Sequence, residues 1–113
     1  MANLDVGSIV EAELSFGRHP AIVLSAQKEI ASSGKVFVVA ISANTTISLP
    51  EDLIEVPRGL GMKKKCYVQC KETELVPIDK VTPNGRKAWG IFLEQVHKQV
   101  RTAAGRAKKS TQS

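Results

Sequence analysis

The segment GSIVEAELSFGRHPAIVLSAQKEIASSGKVFVVAIS, residues 7–42, carries the strongest structural signal in the chain. It contains three strand-like runs, at residues 7–14, 20–25 and 35–42. In the first run Val10, Ala12 and Leu14 alternate with polar residues, which is the period of a half-buried strand. The other two runs are continuously apolar and rich in β-branched residues, as is typical of strands buried on both faces. The segment therefore predicts the centre of a small β-sheet.

Length and composition indicate a single globular domain. The chain has 113 residues, of which 42% are hydrophobic and 4% aromatic, and this is enough to bury one core. No run approaches the roughly 20 apolar residues that a membrane-spanning helix needs, and no basic, apolar leader is visible at the N-terminus. Cys66 and Cys70 are predicted to be free thiols in a reducing compartment, so we expect a cytoplasmic protein.

Outside that segment the sequence predicts shorter elements. Residues 26–34 have the composition of a hairpin loop. Short extended pieces are expected near Pro50 and Pro57, and two later strand-like runs at residues 66–71 and 74–78. Together with the first three strands they predict a small, mostly antiparallel barrel spanning residues 1–105.

A C-terminal helix is predicted over about residues 82–104. Thr82 can act as N-cap, with Pro83 in the first helical position. An apolar stripe at helical spacing follows, formed by Trp89, Leu93, Val96, Val100 and Ala103. Trp89 is interpreted as a core anchor, the alternative being a base-stacking platform. Gly105 is expected to end the helix, leaving residues 106–113 as a disordered basic tail.

The positive charge is concentrated at the C-terminal end. The formal net charge is +5, and residues 86–113 contain seven Lys or Arg against one acidic residue, Glu94. This asymmetry favours a polyanionic partner such as nucleic acid, although a solvated helix with a polar tail would have the same composition. A Lys-Lys-Lys run adds either a phosphate-binding patch or a solubilising turn. The candidate nucleic-acid-binding residues are Lys63, Lys64, Lys65, Arg86, Lys87, Lys98 and Arg101.

Four motifs follow one another at defined spacing. They are GSIV (7–10), RHPAIVLS (18–25), VVAIS (38–42) and the stretch from GL to KKKCYV (59–68). In this order the chain resembles the MazF/PemK family of toxins over roughly residues 6–81. The resemblance implies a mostly β fold with a C-terminal α-helix, a small SH3-like antiparallel barrel that works as a homodimer.

The resemblance also implies an activity, which is cleavage of single-stranded RNA by a toxin-like endoribonuclease (mRNA interferase). In that reaction the ribose 2′-hydroxyl attacks the adjacent phosphorus, while the protein supplies a base, an acid and cationic stabilisation. No metal and no cofactor are expected. The implied partners are single-stranded RNA and a cognate antitoxin protein.

The matching site residues are Arg18, His19 and Ser42. The family has Arg before the proline and Thr or Ser after the third strand; here His19 stands directly before Pro20, and Arg18 one residue earlier. An imidazole can donate or accept a proton at physiological pH, and a guanidinium can hold two phosphate oxygens. We expect the three groups to surround one anion-sized hollow. The simpler alternatives are a His19 that caps a loop and a Ser42 that is an ordinary strand-end hydroxyl.

Two further functions are compatible with the same residues. One is a nucleic-acid-binding module of this fold that has lost catalysis, with salt-dependent affinity for RNA or DNA. The other is a protein-interaction role, as an adaptor or as the partner of an antitoxin-like segment. Turnover of RNA would distinguish the enzyme from both alternatives.

Overall fold

The protein is an antiparallel sheet with one long C-terminal helix, and the computed structural model describes residues 4–112, with side chains to residue 106. Six strands are hydrogen-bonded in the order β4-β5-β3-β2-β1-β6. Their bounds are β1 Ser8–Leu14, β2 Gly17–Val23, β3 Lys35–Ser42, β4 Leu53–Glu55, β5 Tyr67–Pro77 and β6 Val81–Lys87. The helices are α1 Gln27–Ser33 and α2 Gly90–Gln112.

The two central strands are buried on both sides, as their apolar runs predict. Side chains on one side of the sheet, here called the barrel face, pack with Ile30 of α1. They come from four strands: Val10, Ala12, Leu14, Ala21, Val23, Val36, Val38, Ala40 and Val76. Side chains on the other side, the helix face, pack with Val96 of α2 and include Ile9, Ile22, Val39, Ile41 and Val68. The strands at residues 7–14 and 35–42 are thereby confirmed.

The sheet curls around the barrel face. The turn between β1 and β2 reaches β5, where the Ser15 N–H donates to Glu74 Oε1 at 3.1 Å. The barrel stays open, because β4 and β6 are the two ends of the strand order. The predicted mostly β, SH3-like barrel with a C-terminal helix is confirmed in this open form.

Residues 26–34 form a helix instead of the predicted hairpin loop. The Glu29 carboxylate accepts the Ala26 N–H at 3.0 Å at the start of α1. Gly34 ends the helix with φ +71° and donates its N–H to the Ile30 carbonyl at 2.8 Å. One turn of helix suffices to place Ile30 over the barrel face, and its burial favours a helix over a loop.

The predicted helix start at Thr82 is wrong. Residues 82–87 belong to β6, where Thr82 pairs with Glu11 and Pro83 with Val10 of β1. A Pro is compatible with an edge strand as well as with the first turn of a helix, so pairing with β1 decides between them. The helix begins at Gly90, and Trp89, predicted to be a core anchor, is 74% exposed.

The predicted helix end at Gly105 is also wrong, since α2 continues to Gln112. The predicted disordered tail, 106–113, is therefore helical to Gln112, and Ser113 lies outside the described residues. A Gly inside a helix costs about 1 kcal/mol relative to Ala. Arg106 offsets this cost because it binds a buried carboxylate directly beyond the glycine.

That carboxylate is Asp52, which is fully buried between β4 and α2. It accepts two hydrogen bonds from Arg106, at 2.8 and 2.9 Å, and one from Gln99 Nε2 at 2.9 Å. These bonds hold the pKa of Asp52 below its ordinary value of 3.8, the Arg106 bonds being the largest cause. The ion pair fixes the C-terminal half of α2 on the helix face. Among the described residues, no helix combines the length and apolar character needed to cross a bilayer.

Candidate functional site

The predicted catalytic residues lie at the hairpin between β1 and β2. Arg18 is paired with Glu13 of β1, and His19 with Ala12. Neighbouring residues of a strand point to opposite faces of the sheet. His19 therefore shares the barrel face with Ala12, and Arg18 shares the helix face with Pro20. The three predicted groups do not share one face.

Arg18 is held at the helix face by two side chains. Its Nη2 donates to Thr82 Oγ1 at 3.3 Å, and its Nε lies 3.9 Å from Glu11 Oε1. Thr82 is the β6 residue directly opposite Glu11 in the ladder. The guanidinium is half exposed, so it retains donors for an anion from solvent.

His19 and Ser42 lie on the barrel face. His19 is half-buried, and its ring centroid is 5.0 Å from that of Phe16. The β2–β3 ladder pairs Ala21 with Ala40 and ends there, two residues before His19 and Ser42. The Ser42 hydroxyl accepts the Asn44 N–H at 3.1 Å and thereby shapes the turn after β3. His19 and Ser42 thus share a face, and Arg18 lies on the other.

A carboxylate stands on the same face. Glu74 is paired with Val38 of β3, and its Oε1 accepts the Ser15 N–H of the β1–β2 turn. The barrel face thus carries an imidazole, a hydroxyl and a carboxylate, with Glu74 four residues along the β3 ladder from Ser42. Such a set can transfer protons, but it offers little positive charge to bind a phosphate.

The positive charge is gathered on the helix face instead. A groove of about 560 Å³ begins at Pro20 and Glu11, beside Arg18, and is lined by Lys63, Lys64 and Arg86. A second depression of about 400 Å³ adjoins it, sharing both lysines and adding Arg58 and Lys65. We call these two depressions the basic groove. Its two carboxylates, Glu11 and Glu55, are each paired with a cation, at 3.9 and 3.7 Å.

A bulge in β6 aims side chains into the basic groove. The register with β1 shifts so that Pro83 faces Val10 while Lys87 faces Ser8, which leaves extra residues on β6. Such bulges re-aim side chains. Here the bulge directs Asn84 and Arg86 toward the loop before β5, where Asn84 Nδ2 donates to the Leu60 carbonyl at 3.4 Å.

Gly61 makes this close approach possible. It has φ +92°, and a Cβ added to it would lie 3.0 Å from Arg86 Nη1 and 3.1 Å from Asn84 Nδ2. A side chain at this position would push both groups out of the groove wall. Glycine is therefore required here by conformation and by space.

The remaining predicted cations lie elsewhere. Lys98 lines a separate depression of about 450 Å³ between β4 and α2. Arg101 follows one turn later on α2, where burial and the Arg101 charge lower the pKa of His97. Lys87 ends β6 opposite Ser8. Of the seven predicted nucleic-acid-binding residues, Lys63, Lys64, Lys65 and Arg86 are brought together.

Sequence reasoning missed several residues of the groove. Glu11, Arg58 and Asn84 line it, and Thr82 orients Arg18. The Pro-Asn-Gly run at 83–85 was the available signal, since these residues mark a turn or a bulge rather than a helix start.

The two cysteines differ in position, since Cys66 lines the basic groove and Cys70 does not. Both are buried and free. Burial raises the pKa of the Cys70 thiol to about 12, which keeps it protonated and unreactive. Within residues 4–112, no group of three His, Cys, Asp or Glu side chains could hold a metal ion.

Comparison with known proteins identifies the fold. MazF from Deinococcus radiodurans (Form-I) superposes with a TM-score of 0.80 at 17% identity, covering 93% of this chain and 99% of that chain. A mycobacterial endoribonuclease in complex with its cognate antitoxin gives a TM-score of 0.72 at 15% identity, covering 93% and 96%. The Mycobacterium tuberculosis toxin MazF-mt6 gives 0.63 at 20%, covering 90% and 96%.

No protein-family model and no curated protein matches the sequence. The likeness is thus carried by the path of the chain and by its strand order, over more than nine-tenths of the chain. At such low sequence identities, the structural likeness shows the fold alone. The chain has the fold of the MazF toxins.

Proposed function

We propose that the protein is a toxin-like endoribonuclease that cleaves single-stranded RNA. The observation that carries the proposal is the basic groove, where cations from the loop before β5 and from β6 line one concave surface in a MazF fold. Nucleic-acid backbones are bound by such surfaces, because each Lys or Arg that meets a phosphate releases a counterion.

In this proposal the groove binds and the hairpin end reacts. Lys63, Lys64 and Arg86 hold successive phosphates, and Arg18 holds the one nearest the β1–β2 turn. The strand then crosses the turn to the barrel face. There His19 takes the proton of the 2′-hydroxyl as it attacks the adjacent phosphorus, and the P–O5′ bond breaks.

The products of that step are a 2′,3′-cyclic phosphate and a free 5′-hydroxyl, whose oxygen takes its proton from solvent water while the His19 imidazolium returns its own proton to solvent. The Ser42 hydroxyl lies on the same face and can donate a hydrogen bond to a non-bridging oxygen. Glu74 can orient the imidazolium once it forms. Each proton transfer of this kind contributes on the order of 10²–10⁴-fold to a rate.

The proposed partners follow from the same fold. A mycobacterial endoribonuclease of this fold has been solved with its cognate antitoxin, and MazF of Deinococcus radiodurans has been solved as MazE-MazF. These structures support an antitoxin protein as a partner here. We also propose that the protein works as a homodimer in the cytoplasm, the reducing compartment that suits its two free thiols.

One observation favours a second candidate, a nucleic-acid-binding module without cleavage. Strand alternation places Arg18 on the opposite face from His19 and Ser42. The barrel-face groups thereby lack the guanidinium that would stabilise a pentacoordinate phosphorus. Salt-dependent binding without turnover is expected in that case.

The deciding experiment is incubation of the purified protein with 5′-labelled single-stranded RNA in EDTA. We expect cleavage with cyclic-phosphate ends, and a fall of about 10²-fold or more in His19→Ala. His97→Ala is the matched control, because it removes the chain's other histidine, on α2. Binding without any cleavage would leave the second candidate, and no binding at all would remove both.

A further inference from the structure

The most exposed aromatic side chain of the protein lies beside a small apolar cavity. Trp89, between β6 and α2, is 74% exposed. A cavity of about 240 Å³ opens next to it, lined by Pro57, Arg58, Leu60, Ala88, Trp89 and Phe92. The indole and the cavity together present an open apolar surface on which a flat ligand can pack.

The backbone around the indole is held firmly. Ala88 is buried and donates its N–H to the Gly7 carbonyl at 2.8 Å. A Cβ on Gly7 would lie 2.5 Å from the Ala88 carbonyl oxygen, so the two segments are in close contact. Gly90, with φ +67°, then turns the chain into α2. Trp89 is therefore exposed at the end of an anchored strand and not on a loose loop.

The cavity continues the basic groove. It shares Pro57 and Arg58 with the depression that Lys63, Lys64 and Lys65 line, and that depression shares two of its lysines with the groove at Pro20. The surface thus runs from Arg18 through a series of cations to an apolar slot. Arg18 adjoins this path through Glu11, and the two carboxylates on it are already paired. Five cations line it: Arg58, Lys63, Lys64, Lys65 and Arg86.

We propose that the cavity beside Trp89 is a nucleobase subsite for the single-stranded RNA that the basic groove holds. A base stacks on the indole and Phe92 closes the apolar slot, while Arg58 binds the phosphate that joins this nucleotide to the next. Positively charged grooves that end on aromatic platforms bind single strands in this way, because every base has a flat apolar face. The inference rests on the proposed function, since it needs RNA in the groove.

Trp89 is the only tryptophan in the chain, so intrinsic tryptophan fluorescence reports on this site alone. The probe is a 2′-O-methyl octauridylate, which lacks the attacking hydroxyl and cannot be cleaved. An abasic ribose-phosphate octamer with the same charge serves as the second probe. We expect the base-containing strand to quench the fluorescence and the abasic strand to bind without quenching.

Variants then separate stacking from charge. Trp89→Ala should weaken binding of the octauridylate about tenfold, as expected for one lost base stack, and leave the abasic strand unaffected. Ile91→Ala is the matched control, because Ile91 is as exposed as Trp89 but does not line the cavity. Both substitutions are at exposed positions, so thermal unfolding should be unchanged.

Three results would overturn the subsite. Equal affinity of Trp89→Ala and wild type for the octauridylate would do so while leaving the groove proposal intact. Equal quenching by the abasic strand would show that the fluorescence follows charge and not stacking. A concentration-dependent fluorescence change without RNA, together with dimerisation, would assign the indole to a second copy of the chain. If neither strand binds, the subsite and the proposed function fail together.

Discussion

The two faces of the β1–β2 hairpin differ in chemistry although they are built from adjacent residues. On the helix face Arg18 joins a groove lined by cations and leading to an exposed indole. The barrel face carries His19, Ser42 and Glu74, whose side chains offer protons and oxygens. One step along a strand therefore separates a cationic surface from groups that can transfer protons. If the proposed function is correct, we expect affinity and catalysis to be separable by substitution.

The largest expected effect is on the binding face. The triple variant Lys63→Glu, Lys64→Glu, Arg86→Glu should weaken binding of single-stranded RNA by about a hundredfold or more. The slope of log affinity against log salt should become shallower by about 2, since three phosphate contacts are lost. Fluorescence anisotropy of a labelled strand over a range of salt concentrations measures both.

The control is a second triple variant, Lys28→Glu, Lys35→Glu, Lys80→Glu, which changes the net charge by the same amount. Lys28, Lys35 and Lys80 are exposed and lie outside the basic groove, so their reversal should leave affinity within a few-fold. An equal loss in both triples would mean that RNA responds to overall charge and that the helix face holds no defined site.

Low pH should weaken the packing of α2 on the helix face before it affects the packing on the barrel face. The folded-state pKa of Asp52 is lowered, so its pairing with Arg106 stabilises the fold fully above its ordinary value of 3.8 and loses this contribution as pH falls below that value. Arg106→Ala should cost about 2 kcal/mol at pH 7, because a buried carboxylate loses its charged partner.

Urea denaturation at pH 7 and pH 3 measures this contribution. The difference in unfolding free energy between wild type and Arg106→Ala should shrink at pH 3, below the ordinary pKa of Asp52, where the contribution of its lowered pKa is being lost. Lys98→Ala, on the exposed side of the same helix, is the control and should cost little at either pH. A difference that stays constant with pH would contradict the role given to Asp52.

Exchanging Arg18 and His19 tests the difference between the two faces of the hairpin most directly. The double variant Arg18→His, His19→Arg keeps the composition and moves the guanidinium to the barrel face, directly before Pro20. If reaction occurs beside Ser42, the rate of RNA cleavage should fall about 10²-fold or more, because the barrel face loses the imidazole that takes the 2′-hydroxyl proton. Affinity for uncleavable RNA should fall by a few-fold, because the groove loses one cation.

The quantities to compare are the single-turnover cleavage rate and the dissociation constant of 2′-O-methyl RNA. An undiminished rate would place the reacting phosphate on the helix face, because the exchange puts the imidazole there. Arg18→His and His19→Arg as single variants show which half of the exchange is responsible.

The fold was more predictable than the site. The central strands were recognised because β-branched runs bounded by turn residues are a local pattern. Residues 82–87 were not, since Thr-Pro is compatible with an edge strand and with a helix start. That error also misplaced Trp89, because a helical stripe counted from residue 89 includes it, whereas the helix begins at Gly90.

The candidate site divides in the same way. Arg18, His19 and Ser42 were identified by motif, and the Lys-Lys-Lys run by composition. That Arg86 would meet Lys63 and Lys64 was not visible in the sequence, because the contact depends on a bulge in β6 and on the space at Gly61. Long-range encounters of this kind leave no periodic signal in the chain.

Consecutive residues alone thus specified a mostly β chain with buried central strands, a C-terminal helix and an excess of positive charge, because hydrophobic period, β-branching and charge are local properties. Pairing between distant segments decided the rest. The register of β1 with β2 and β6 set which face each hairpin residue occupies, and the packing of β6 against the loop before β5 gathered the cations. The reason is geometric, since side chains far apart in sequence acquire a common site only when the sheet curls and its strands align.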